Sequence, residues 1–341
     1  MTASAPRWIS ESDVVQLIDL GDAIEALTRG LLEEAAGSAR NMDKTAAHWS
    51  ASSNMHAIGA VFEGADVFGT KTCGNTPAGS TPLLTLWNAT SAKLSAIVEA
   101  RALGQMRTAA MSAIATRWMS AEGADDLAII GSGKQALTQV AAVAAVRRLR
   151  RVRVFSPTPA KRTAFAEKLR GAFPGIEIRV ADDAAAATQG ASIITLITRA
   201  REPVISSSMI ARGAHVNAAG AITNERREFA QDLFPRASLV AVDTLPATRA
   251  LSAEFIDWYD RQCAGDWTRV QRIADIVAAA RRRPAETDIS LFKPMGMGIS
   301  DVALGIEIMR RAQASGIGRI MPPPGLATPR ISHPAQEETA A

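Results

Sequence analysis

The chain has 341 residues, 47% hydrophobic and 21% charged; these proportions exclude wholesale disorder, collagen-like repeats and coiled coil and leave room for about two domains. Lys and Arg number 38 against 34 Asp and Glu, a net charge of +4 with 5% aromatic residues, which argues against a nucleic-acid partner. Cys73 and Cys263 stand far apart, the four histidines show no zinc-site spacing, and neither a signal peptide nor an apolar run of about 18 residues is present, so the expectation is a cytoplasmic protein without metal or membrane contact that acts on a small molecule.

In chain order, Ser10 or Ser12 can cap a helix from Val14 to Leu32, where Val14, Val15, Leu17, Ile18, Ile24, Leu27 and Leu31 recur at helical intervals. Residues 40–100 read as a β-meander, since AIGAVF, DVFGTKTC, PLLTLWN and LSAIVEA are short, apolar and divided by Gly, Pro, Asn and Ser. A helix over ALGQMRTAAMSAIATRWM ends near Gly123 and closes an α+β unit. From Asp126 the texture alternates: LAIIGSG, RVRVFS, EIRVA and SIITLIT are strands, with helices over KQALTQVAAVAAVRRL and PAKRTAFAEKLRGAF. AHVNAAGA and SLVAVDT continue the strands, helical material covers Asp257 to Arg283, and ISDVALGIEIMRRAQASG is a last amphipathic helix. The alternation predicts an α/β fold, a Rossmann-type doubly wound parallel sheet beside a smaller α+β unit. The Pro- and Ala-rich residues 321–341, with His333, read as a flexible tail.

Gly131-Ser132-Gly133-Lys134-Gln135-Ala136 is G-x-G-x-x-A between an apolar strand and a helix. Gly131 permits the tight turn, Gly133 lets backbone approach a pyrophosphate, and Ala136 permits close helix packing, so Ser132 and Gln135 lie in a cofactor-binding turn. The next strand ends in Phe155-Ser156-Pro157-Thr158-Pro159-Ala160-Lys161-Arg162 without an acid to accept ribose hydroxyls. Ser156, Thr158, Lys161 and Arg162 suit a 2′-phosphate, which favours NADP(H) and leaves NAD(H) second. The run Arg147, Arg148, Arg150, Arg151, Arg153 reads as a solvated face beside a helix C-terminus.

Arg40, Lys71 and Arg107 stand in or beside apolar segments, where a cation needs an anionic partner. A substrate carboxylate held by converging cations and an internal salt bridge to Glu63, Asp66 or Glu99 meet that need equally well. His56 is an acid-base candidate upstream of Lys71, whereas His215 reads as structural.

At this point the sequence resembles the ornithine cyclodeaminase and mu-crystallin family over nearly its whole length. The resemblance rests on GTK ending at Lys71, GQMRTAAMSAIAT around Arg107, IIGSGKQA at 129–136, GAHVNAAGA at 213–221 and DISLFKPMGMGISDVALG at 288–305. It implies a homodimer in which residues 1–123 with 301–320 carry the substrate site and dimer interface, while 124–300 form the dinucleotide-binding domain. It further implies that Arg40, Lys71 and Arg107 hold the substrate carboxylate and that Asn217 lies at the cofactor. Family members reduce cyclic or open-chain imines of 2-oxo acids, deaminate alanine oxidatively, or cyclise ornithine with loss of ammonia. The cyclodeaminases carry an aspartate after the HxNAxG motif, and here that position is Ile222, with Arg226 in place of a lysine a turn later. An apolar side chain cannot fix an ammonium group or accept a proton.

The expectation is therefore an NAD(P)H-dependent ketimine reductase acting on imino acids such as 1-pyrroline-2-carboxylate or 1-piperideine-2-carboxylate, or on imines of 2-oxo acids. Ile222 lines the pocket and Lys71 or His56 is the proton source. The alternatives are a cyclodeaminase-type lyase, an alanine dehydrogenase-like enzyme and a non-catalytic crystallin-like nucleotide binder.

Overall fold

The computed structural model describes residues 5–331. After strand β1 (Arg7–Ile9), the Ser10 hydroxyl accepts a hydrogen bond from the Asp13 N–H while the Asp13 carboxylate accepts from the Ser10 N–H, which starts α1 (Glu11–Leu17). The single helix expected from Val14 to Leu32 is in fact two. Ile18 is extended, and Asp19 opens α2 (Leu20–Ala36) with a second reciprocal cap to Asp22, so local side-chain bonds interrupt an otherwise continuous apolar pattern.

The meander forms as expected from β2 (Ala39–Ser50), β3 (Ser53–Phe62), β4 (Val67–Thr76), β5 (Gly79–Asn88) and β6 (Leu94–Glu99), each antiparallel to the next. Helix α3 (Arg101–Met119) follows, its later turns built of small buried residues. Arg147 does not lie on a solvated face: it is buried and donates to the carbonyls of Thr116 and Arg117 at the α3 C-terminus, where a guanidinium satisfies orphan acceptors. Arg151 and Arg153 pair with the buried Asp126.

Then come β7 (Asp126–Ile130), α4 (Ala136–Ala144), β8 (Arg151–Phe155), α5 (Pro159–Ala172), β9 (Glu177–Val180), α6 (Ala184–Thr188), β10 (Ile193–Leu196), β11 (His215–Ala218) and β12 (Ala237–Val242). Helices α7 (Leu245–Leu251) and α8 (Ala253–Phe255) lead into a π-helical turn at Ile256–Gln262, strand β13 (Val270–Arg272) and α9 (Ile273–Ala278). The stretch expected to be helical up to Arg283 thus contains a strand, and β14 (Ile289–Lys293) and α7 are elements that the pattern did not mark. Helix α10 (Gly298–Ser315) and β15 (Arg319–Ile320) complete the described elements, and β15 pairs antiparallel with β1. Residues 321–331 have no regular structure, and the rest of the tail, with His333, lies outside the described residues.

The first sheet has the order β15-β1-β6-β5-β4-β3-β2 and packs against α2, α3 and α10. The second has the order β13-β12-β14-β11-β10-β7-β8-β9, and all its pairings are parallel. Its central strands are buried throughout, as strands covered on both faces must be. The chain runs outward in opposite directions from β7 and β10, so the crevice beyond their C-terminal ends is the topological switch point.

Candidate active site

Lys71 sits on β4 opposite Ile58 of β3, with its side chain turned inward. Its ammonium lies 2.5 Å from Asp301 Oδ1, and both side chains are buried. Asp301 belongs to the first turn of α10, and Arg107 Nε from α3 approaches the same oxygen at 3.3 Å. Gly296 brings bare backbone against the Arg107 guanidinium, because a Cβ there would stand 3.2 Å from Nη1. Burial holds the Lys71 ammonium below its ordinary value, with Asp301 opposing the shift and Arg107 adding to it.

The salt-bridge acid is thus Asp301 rather than Glu63, Asp66 or Glu99 for Lys71 and Arg107. For Arg40 it is Glu63: Arg40 Nη2 lies 2.6 Å from Glu63 Oε1, and the Arg40 side chain is 60% exposed, away from the other two cations. The reason is a β-bulge. Met42 pairs with Gly59 and Thr45 with Ala57, so β2 carries one extra residue and its side-chain alternation reverses. Lys44, within the bulge, is the cation of β2 that comes near Arg107 and Asp301. It lines the cleft, burial and the nearby Arg107 lower its pKa, and Asp243 and Asp301 pull the other way.

His56, opposite Cys73 on β4, has Nδ1 3.2 Å from the Asn75 amide. Burial, reinforced by Lys44, Lys71 and Arg107, brings its pKa down to about 4, so near neutral pH the ring is a neutral imidazole and not an imidazolium acid. Asp243, at the end of β12, is buried and accepts hydrogen bonds from the backbone of Thr244, Met295 and Gly296. It fixes the turn between β14 and α10 that brings Gly296 to Arg107. Between the sheets runs a cleft of about 520 Å³, walled by Lys44, Ile58, Thr244, Leu245, Gly296 and Met297 among others. Lys44 is the cation of the cluster that lines this cleft, whose wall mixes apolar side chains with Glu34, Asp43 and Arg272.

The second half of the site is the crevice of the parallel sheet. Gly131 ends β7 with φ +116 and donates to the Phe155 carbonyl, and a Cβ there would lie 2.5 Å from the Ile197 carbonyl oxygen. A Cβ on Gly133 meets nothing within 4 Å, so this residue bounds open space at the approach to α4. Ala136 is fully buried, and Ser132 Oγ donates to Ser156 Oγ at 2.9 Å, linking the turn to the end of β8. Arg162 lies over the Phe155 ring, while Lys161 and Thr158 are exposed. These residues fit the phosphates and adenosine ribose of a dinucleotide.

Asn217 is a correction. Its amide is buried, donates to Thr116 Oγ1 and meets His215 Nε2, and His215 in turn contacts Ser290, so the pair ties β11 to α3 and does not face the crevice. Burial lowers the His215 pKa to about 3, which agrees with a structural role. Ile222 follows β11 in the loop at the crevice and is half-buried. Among the described residues no group of His, Cys, Asp and Glu is arranged to hold a metal ion, and no helix is long and apolar enough to cross a membrane.

A doubly wound parallel sheet with a glycine turn at its switch point, joined to a meander that buries a cation cluster, defines a two-sheet Rossmann-type protein. The chain belongs to the ornithine cyclodeaminase/mu-crystallin family, whose model matches residues 7–316. Ketimine reductase mu-crystallin of Rattus norvegicus is 28% identical over 217 residues, 64% of this chain and 65% of the relative. A Delta(1)-pyrroline-2-carboxylate reductase of Bacillus cereus is 30% identical over 227 residues, 65% of this chain and 68% of the relative. The chain thus spans just under two-thirds of the length of several curated relatives, 65% or 66%. The solved structure of Thermococcus litoralis Delta(1)-pyrroline-2-carboxylate reductase in complex with NADH and L-proline has a TM-score of 0.86 at 26% identity, covering 92% of this chain and 99% of that one.

Proposed function

We propose that the protein is an NAD(P)H-dependent reductase of ketimines, taking cyclic imino acids such as 1-pyrroline-2-carboxylate or 1-piperideine-2-carboxylate, or imines of 2-oxo acids, to amino acids. The observation that carries this reading is the convergence of Lys71, Arg107 and Lys44 beside a dinucleotide-type crevice in which Ile222 replaces the acid that ring-closing chemistry needs. The family relatives named for imine reduction support it.

The nicotinamide ring, when bound, supplies the hydride. Lys71 and Arg107 hold the substrate carboxylate, with Asp301 fixing both cations, and Lys44 closes the third side. This orientation presents one face of the C=N carbon to the crevice. Lys71, whose lowered pKa eases proton release, supplies a proton to the imine nitrogen when the substrate arrives unprotonated; His56, neutral near pH 7, is a polar wall and not the acid. Residues 124–300 form the cofactor domain, and 1–123 with 301–320 the substrate and dimer unit. The exposed apolar side chains Trp49, Met55 and Val61 of β2 and β3 supply the surface for a second copy.

Initial rates of NAD(P)H oxidation with the two cyclic imines test this reading, with ammonia release from ornithine measured alongside. Turnover of an imine with negligible ammonia is expected, and the reverse pattern indicates the lyase. The end of β8 carries no acid, and Ser156, Thr158, Lys161 and Arg162 there favour NADPH over NADH, with Arg162 also lying 3.7 Å from the Asp182 carboxylate beyond β9. Titration with both cofactors is expected to show tighter NADPH binding that Lys161→Ala with Arg162→Ala weakens about tenfold or more, as for a lost charge-assisted bond. Tighter NADH binding in the unmodified protein refutes the assignment.

A further inference from the structure

Glu228 lies in the segment between β11 and β12, fully buried, and no cation pairs with it among the described residues. Its carboxylate accepts four hydrogen bonds. Oε1 takes the Thr198 N–H at 2.7 Å and the Thr198 hydroxyl at 2.9 Å, and Oε2 takes the N–H groups of Gly220 at 2.7 Å and Ala221 at 3.0 Å. These donors come from two different loops, the one leaving β10 and the one leaving β11. The loops touch so closely that a Cβ on Gly220 would stand 2.3 Å from the Thr198 backbone and 2.4 Å from Glu228 Oε1.

The bracing has a second layer. The Glu228 N–H donates to Glu254 Oε1, the Ser252 hydroxyl donates to Glu254 Oε2, and Lys293 at the end of β14 lies 3.5 Å from Glu254, with both of these side chains fully buried. A buried carboxylate without a salt-bridge partner, with only the through-space charge of Arg226 near it, is costly unless its lone pairs are filled. Here three backbone N–H groups and the Thr198 hydroxyl fill them, and these donors all belong to one side of the switch point. The adenosine side, formed by the ends of β7 and β8, receives no bond from Glu228. The loops beyond β10 and β11 are those over which the second half of a dinucleotide must lie, and the β11 loop also carries Ile222.

We propose that Glu228 is a positioning residue for the nicotinamide half of the cofactor, clamping the β10 and β11 loops into one rigid floor while leaving the adenosine half untouched. The inference rests on the dinucleotide reading above. It acts through the loops and makes no contact with the reacting atoms. Glu228→Gln keeps the shape but turns an amide NH₂ toward N–H donors, so two of the four bonds become donor against donor.

Calorimetric titration of the full-length protein with NADPH, NADH and the adenine-half fragments ADP and 2′,5′-ADP tests it, with Glu228→Asp as a second, charge-retaining variant. The expected result is about a tenfold or greater loss of affinity for the preferred dinucleotide in Glu228→Gln, with fragment affinities within about twofold of the parent and partial recovery in Glu228→Asp. An equal loss for dinucleotide and fragment, which general loosening of the domain would cause, overturns the proposal. So does unchanged dinucleotide affinity in Glu228→Gln. Failure of the unmodified protein to bind any of the four probes overturns the dinucleotide reading itself, and this inference with it.

Discussion

Lys71→Met should lower kcat/KM for imine reduction by two orders of magnitude or more and destabilise the fold by about 3–5 kcal/mol, the usual consequence of removing one member of a buried ion pair. Two physical effects combine in this estimate. The substrate carboxylate loses a charge-assisted donor, and Asp301 is left buried with only the Arg107 guanidinium at 3.3 Å. Denaturant titration and steady-state kinetics on the same preparation measure both. The double variant Lys71→Met with Asp301→Asn separates them, since removing the stranded charge should return much of the stability and none of the turnover. Recovery of turnover in the double variant would mean that Lys71 serves only to neutralise Asp301.

The second large effect is expected at Gly133. Its φ is not in the left-handed region, and a Cβ there meets nothing within 4 Å, so Gly133→Val is compatible with a folded protein. The added branched side chain occupies the space through which backbone must approach a pyrophosphate, and dinucleotide binding should fall below detection. Gly131→Val provides the contrast: with φ +116 and the Ile197 carbonyl 2.5 Å from any Cβ, it should damage folding as well. Circular dichroism with cofactor titration distinguishes the two. Unchanged cofactor affinity in Gly133→Val would remove the glycine turn from the site.

The contrast between these positions also shows what a sequence can and cannot disclose. The strand, turn and helix around Gly131 are local, so apolar run, glycine spacing and helix start all appear within a dozen or so residues. Asp301 is 230 residues from Lys71, and a carboxylate in an amphipathic helix looks like any other until the fold closes. Lys44 was hidden for a different reason. Strand periodicity places Arg40 and Lys44 on one face, and only the extra residue between Met42 and Thr45 turns them to opposite faces. Asn217, which the family resemblance implied at the cofactor, is instead taken up by core bonds to Thr116 and His215 that only the fold brings into reach. The break between α1 and α2 was legible in principle, since Asp19 and Asp22 stand at capping-box spacing.

The most direct measurement of the central claim follows the hydrogen itself. With NADPH or NADH deuterated at nicotinamide C4 on one face, and 1-piperideine-2-carboxylate or 1-pyrroline-2-carboxylate as acceptor, mass spectrometry of the product amino acid reads the transfer. One deuterium at C2 per cofactor oxidised, from one face of the ring only, is expected, with little ammonia from ornithine. No label in product and no cofactor consumed, together with proline and ammonia formed from ornithine, would contradict it.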